Sequence, residues 1–90
     1  MSNKKQIPSN SMELKSLAEK ALSQSDGEAK WIAVDKHGFV YCYSVKPVTN
    51  FDVWDIPTFD DECWYITEIN HPENWETELY EISKILNNEQ

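Results

Sequence analysis

The chain has 90 residues, the size of one domain, with 16 acids against eight bases, a formal net charge of -8 and 40% hydrophobic residues. All eight bases are Lys, and Arg is absent. Direct nucleic-acid readers and binders of anionic membranes need a basic face, so both classes are excluded as direct functions; no run of 18 apolar residues occurs, so no membrane span is expected.

Residues 1–9 (MSNKKQIPS) read as a polar arm, residues 10–87 as a single α+β domain and residues 88–90 as a tail. Asn10 is placed to cap a first helix, with Glu13 at the capping-box spacing. Leu14, Leu17, Ala18, Ala21 and Leu22 then recur on one helical stripe. Asp26-Gly27 supplies the stop after Ser25. A hairpin follows, from Lys30–Asp35 and Phe39–Val45, both rich in β-branched and aromatic residues. The turn Asp35-Lys36-His37-Gly38 suits a type I turn with Gly38 left-handed. It sets Asp35 opposite Phe39, and so pairs Val34 with Val40, Ala33 with Tyr41, Ile32 with Cys42 and Trp31 with Tyr43. Ile32, Val34, Val40 and Cys42 then form an aliphatic face for the helices. Trp31, Ala33, Tyr41 and Tyr43 form an aromatic face that the remaining chain is too short to cover fully.

Lys46-Pro47 ends the second strand. Residues 48–61 read as a long connection, carrying Phe51, Trp54, Ile56 and Phe59 among Asp52, Asp55, Asp60 and Asp61. A third strand is expected over 62–69, and a last helix from Asn70-His71-Pro72 onward, with Trp75, Leu79, Ile82 and Leu86 on its apolar side. The expected architecture is α-β-β-β-α: a three-stranded antiparallel sheet with helices packed on one face.

Residues 1–46 hold seven Lys and five acids, whereas residues 47–90 hold Lys84 alone against eleven acids. A half-chain this acidic attracts basic surfaces, including those that normally hold nucleic acid. The bland alternative is a solubilising coat. Cys42 and Cys63 match no zinc spacing or redox pair. With no apolar signal core after Met1, a reducing cytoplasm is the expected compartment.

Catalytic patterns are absent. His37 falls in a turn and His71 at a helix start, neither beside a nucleophile. Asp60-Asp61-Glu62 does not meet the calcium-loop spacing, and adjacent strand residues diverge. The two glycines are explained by a cap and a turn, so no phosphate loop is present. We expect no enzyme, no cofactor and no metal.

The stretch Trp31-Ile32-Ala33-Val34-Asp35-Lys36-His37-Gly38-Phe39-Val40-Tyr41, continuing to Tyr43 and Lys46-Pro47, resembles a pattern in small accessory proteins of tailed bacteriophages. Those proteins similarly carry a D-x-x-G turn, a later segment like Trp64-Tyr65-Ile66 and a terminal helix opened by one like Glu73-Asn74-Trp75. The resemblance covers about residues 28–86, and its motifs are structural. Among small acidic phage proteins, the type compared is the Arn-like anti-restriction protein, which imitates DNA to block a nuclease. No site residue is carried over from it.

Two functional expectations follow. In the first, an anti-defence or host-takeover inhibitor binds a basic bacterial nucleic-acid-binding protein, such as a restriction or CRISPR nuclease. Glu73, Glu76, Glu78 and Glu81 on one helix, with Asp52, Asp55, Asp60, Asp61 and Glu62 beside it, would stand in for phosphates. In the second, Trp54, Phe59 and Trp64 anchor a protein partner and the acids only solubilise. A homodimer is expected in either case, through the aromatic face and with the acidic half outward.

Overall fold

A computed structural model describes residues 11–70 and 72–87. The expected arm, the Asn10 cap, His71 and the expected tail lie outside the described residues.

The first helix, α1, runs Ser11–Gln24. Leu17, Ala18 and Ala21 bury its stripe, with Leu22 half-buried beside them. It stops as Asp26 and Gly27 take left-handed angles (φ 57° and 83°) and the Gly27 amide donates back to the Leu22 carbonyl at 2.8 Å. Ser25 is buried in the exit: its hydroxyl donates to the Ala21 carbonyl at 2.7 Å and accepts from the Ala29 amide at 2.9 Å.

Strands β1 (Trp31–Val34) and β2 (Phe39–Tyr43) pair antiparallel in the expected register, from Trp31 opposite Tyr43 to Val34 opposite Val40. The turn between them is built as its residues require. The Gly38 amide donates to the Asp35 carbonyl at 3.0 Å, with Gly38 at φ 91°. One Asp35 carboxylate oxygen accepts from the His37 and Phe39 amides at 3.0 and 3.1 Å, the bracing that favours Asp at such a turn. The faces separate as expected: Ile32, Val34, Val40 and Cys42 are each fully buried in the core under the helices.

The sheet differs from expectation in strand number. Residues 48–61 are not one irregular connection: Val48–Asn50 and Val53–Asp55 form β3 and β4, a two-stranded sheet of their own. Its two-residue turn, Phe51-Asp52, lacks the usual Asn-Gly signal, and Phe51 itself takes a left-handed φ of 58°. Strand β5 (Cys63–Glu68) pairs with β2, with a register shift between Val40 and Tyr41.

The expected long helix from residue 70 is also corrected. Trp75–Thr77 form one turn of 3-10 helix, Leu79–Glu81 form strand β6, and only Ile82–Asn87 form a helix, α2. The main sheet therefore has four strands in the order β5-β2-β1-β6 rather than three. The open edge of β1 decides this. Its amides and carbonyls need partners, and β6 supplies them, pairing Ala33 with Leu79, Ile32 with Tyr80 and Trp31 with Glu81. The Val34 amide to the Glu78 carbonyl (3.0 Å) and the Ile82 amide to the Lys30 carbonyl (2.9 Å) extend the ladder at both ends. Like charges at helical spacing, Glu73 to Glu76 and Glu78 to Glu81, weaken the competing helix.

The protein is thus three layers. Helices α1 and α2 cover one face of the main sheet, over a core completed by Ile66, Ile69 and Ile82. The β3–β4 hairpin and the segment around Trp75 lie on the other face, where Ala33, Tyr43 and Trp75 are buried.

Candidate functional site

The face opposite the helices collects what the sequence held apart. Alternation along β1 and β2 puts Trp31, Ala33, Tyr41 and Tyr43 there. Pairing with β5 and β6 adds Tyr65, Cys63, Leu79 and Glu81. Trp54 of β4 staples the hairpin onto this face. Its indole N–H donates to the Val34 carbonyl at 3.0 Å and to the Trp75 carbonyl at 3.3 Å, and its ring meets Trp75 edge-on at 6.1 Å. The Tyr43 hydroxyl donates to the Trp54 carbonyl at 3.2 Å. One aromatic residue therefore joins the two acidic segments, 52–55 and 73–78, over the sheet.

The predicted carboxylates reach different situations. Asp52 sits exposed at the hairpin tip, 3.7 Å from the Lys36 ammonium, a solvated pair of little energetic weight. Asp55, in β4, accepts from the Ile56 amide at 2.8 Å. Asp61 braces its own turn, accepting from the Thr58 amide and hydroxyl at 3.2 and 3.0 Å. Glu78 accepts from the Tyr80 hydroxyl, and Glu81 lies 3.8 Å from the Lys84 ammonium. Asp60, Glu62, Glu73 and Glu76 are exposed, with no described residue engaging their carboxylates. The single-helix array of Glu73, Glu76, Glu78 and Glu81 is not formed: these four occupy a loop, a 3-10 turn, its cap and a strand.

The predicted aromatic anchors also part company. Trp54 is half-buried as the staple, and Trp64 is half-buried against the helix-side core, opposite Cys42. Phe59 is wholly exposed. Phe51, at the hairpin tip, is 94% exposed, although its bulk and left-handed backbone both argue for a smaller residue there. Sequence reasoning did not single out Phe51 as an anchor. The strand-favouring Val48, Thr49, Val53 and Trp54 on either side of Phe51-Asp52 are the signal for a hairpin.

Between the hairpin and the aromatic face lies a cleft of about 350 Å³ that includes Asp35, Tyr41, Tyr43, Trp54, Asp55 and Cys63 in its lining. The Tyr43 hydroxyl is pushed well above the ordinary phenol range, first by burial and then by electrostatic coupling to neighbouring acidic groups, Cys63 and Asp35 foremost. Burial, and then Asp55, likewise raises the Cys63 thiol. A neutral hydroxyl and thiol beside two carboxylates favour a cation and offer no ready nucleophile. Among the described residues, no three His, Cys, Asp or Glu side chains converge as metal ligands, and no helix is long and apolar enough to cross a membrane.

Neither protein families, nor curated proteins, nor solved structures provide a match to this chain.

Proposed function

We propose that the protein is a binding protein, not an enzyme, whose acidic and aromatic face occupies the basic, nucleic-acid-binding surface of a bacterial partner such as a restriction or CRISPR nuclease. In this reading it is a phage anti-defence inhibitor and a DNA mimic. The observation that supports it is the Trp54 staple, which gathers the acidic segments 52–55 and 73–78 onto one face. The molecule measures 39 × 33 × 20 Å, so its long axis matches about one turn of B-DNA, roughly 34–36 Å. The exposed carboxylates left for a partner are chiefly Glu73 and Glu76, within the gathered segments, with Asp60 and Glu62 outside them.

A second reading, a module anchored by exposed aromatics, draws on Phe51 and Phe59. One comparison separates the two. Asp60→Asn, Glu62→Gln, Glu73→Gln and Glu76→Gln together should slow association with the nuclease about tenfold or more and flatten its salt dependence. Phe51→Ala with Phe59→Ala should act less, and duplex DNA should compete with the unmodified protein. Stopped-flow binding over a salt series measures this. If the four charge changes leave the on-rate intact while the two Phe changes abolish binding, the aromatic module is the better account.

A further inference from the structure

The cleft beneath the β3–β4 hairpin combines aromatic walls, carboxylates and the absence of any base in its lining. Its volume of about 350 Å³ falls at the lower end of the range of small-ligand pockets, roughly 300–1,000 Å³. Tyr41 forms one wall within a row of rings: its centroid is 5.6 Å from Tyr65, edge-on, and 6.4 Å from Tyr43. Asp55, in β4, supplies one carboxylate.

Asp35 supplies the other, and it is only 6% exposed. One of its oxygens is occupied by the His37 and Phe39 amides. The other is open to the solvent of the cleft, since no buried side-chain oxygen among the described residues lacks a partner. Two carboxylates at the wall of an aromatic cleft that no base lines, one of them with an oxygen facing the cleft's solvent, attract a cation. The same sheet face already holds one on a ring: the Lys46 ammonium lies 5.6 Å from the centre of Trp31.

We infer that this cleft takes the guanidinium of an arginine side chain. A planar guanidinium stacks on tyrosine faces while its N–H fork pairs with carboxylates, whereas a lysine ammonium is more strongly hydrated and cannot do both as well. The inference rests on the basic-partner reading and deepens it: the partner's contribution at the centre of the interface is one inserted arginine, with the outer carboxylates steering it in. Surfaces that bind nucleic acid are rich in this residue.

The test needs no partner. N-acetyl-arginine methylamide is titrated into the isolated protein, with N-acetyl-citrulline methylamide as the neutral isostere, and the Trp54 indole N–H is followed by NMR. Saturable shifts at Trp54, Tyr41 and Tyr43 are expected with arginine, at a millimolar dissociation constant, and none with citrulline. Asp55→Asn keeps the acceptor for the Ile56 amide, gives up the exposed 3.4 Å contact from the Asn50 side-chain amide, and should weaken arginine about fivefold. Tyr41→Leu should weaken it as well, with thermal melts verifying that both variants fold. Equal binding of citrulline, indifference to Asp55→Asn, or shifts confined to residues 60–62 and 73–76 would each overturn the assignment. Arginine binding without any nuclease binding would leave the cleft standing and remove the inhibitor reading; nuclease binding that survives loss of the arginine site would do the reverse.

Discussion

Gly27 and Gly38 have similar backbone angles (φ 83° and 91°) and opposite surroundings. A Cβ on Gly27 meets nothing within 4 Å, whereas one on Gly38 falls within bonding-clash range of the Ile69 carbonyl. That strand end also docks here, with the Ile69 amide donating to the Gly38 carbonyl at 2.8 Å. Gly27→Ala is therefore expected to cost only the left-handed strain, roughly 1–2 kcal/mol. Gly38→Ala adds a backbone collision and should lose at least ~1 kcal/mol more. Urea unfolding of both variants checks the difference. Cys42, fully buried in the core, carries a pH signature: burial raises its thiol from 9.0 to about 11. The folded state holds the proton longer than the unfolded state does. Its contribution to stability is thus complete below pH 9.0 and is lost as pH rises toward about 11, by an amount of order 2 kcal/mol. Unfolding free energies across that window should fall for the natural protein. They should fall less steeply for Cys42→Ala, which starts lower because of its cavity.

Among the elements, the β3–β4 hairpin is the one whose attachment decides the site. Two short strands alone are marginal in water, so the hairpin depends on what holds it to the sheet. Trp54 does most of this, through its indole N–H and its ring against Trp75. Trp54→Phe keeps the ring contact in part and removes the donor, leaving the Val34 and Trp75 carbonyls short of a partner. The expected loss is about 1–3 kcal/mol. Hydrogen exchange should show it locally, with amides of 48–55 losing protection while those of β1 and β2 keep theirs. The fate of β6 illustrates the same competition. Residues 79–81 carry helical spacing, and the vacant edge of β1 claims them instead.

For the whole molecule, charge and apolar exposure fall on the same side. Phe39, Val53, Phe51 and Tyr65 are exposed on the face or hairpin that also holds Asp52, Asp55 and Glu81. A homodimer through this face, expected from the exposed apolar surface, would bring those carboxylates together rather than leave them outward. Self-association should therefore strengthen with salt, as repulsion between two chains of formal net charge -8 is screened. Binding to a basic partner should weaken over the same range. Sedimentation at low and high salt, beside partner binding under the same conditions, reads the two slopes. Self-association that falls as salt rises would count against the aromatic face as the dimer contact.

The sequence by itself determined the first helix, the β1–β2 register and the division of that hairpin into two faces. Each rests on neighbours: an apolar stripe at helical spacing, a four-residue turn braced by Asp35 and closed by Gly38, and a two-residue alternation that admits no slip. It also marked the half of the chain that carries the acids. Tertiary structure decided the rest. Residues 79–81 became a strand because β1 had an open edge, and residues 48–55 became a hairpin because Trp54 found two carbonyls on other elements. The cleft exists only where Asp35, Tyr41, Asp55 and Cys63, from four separate stretches of chain, converge. Local pattern cannot express such convergence, since it arises from hydrogen bonds and packing between segments that are distant in sequence.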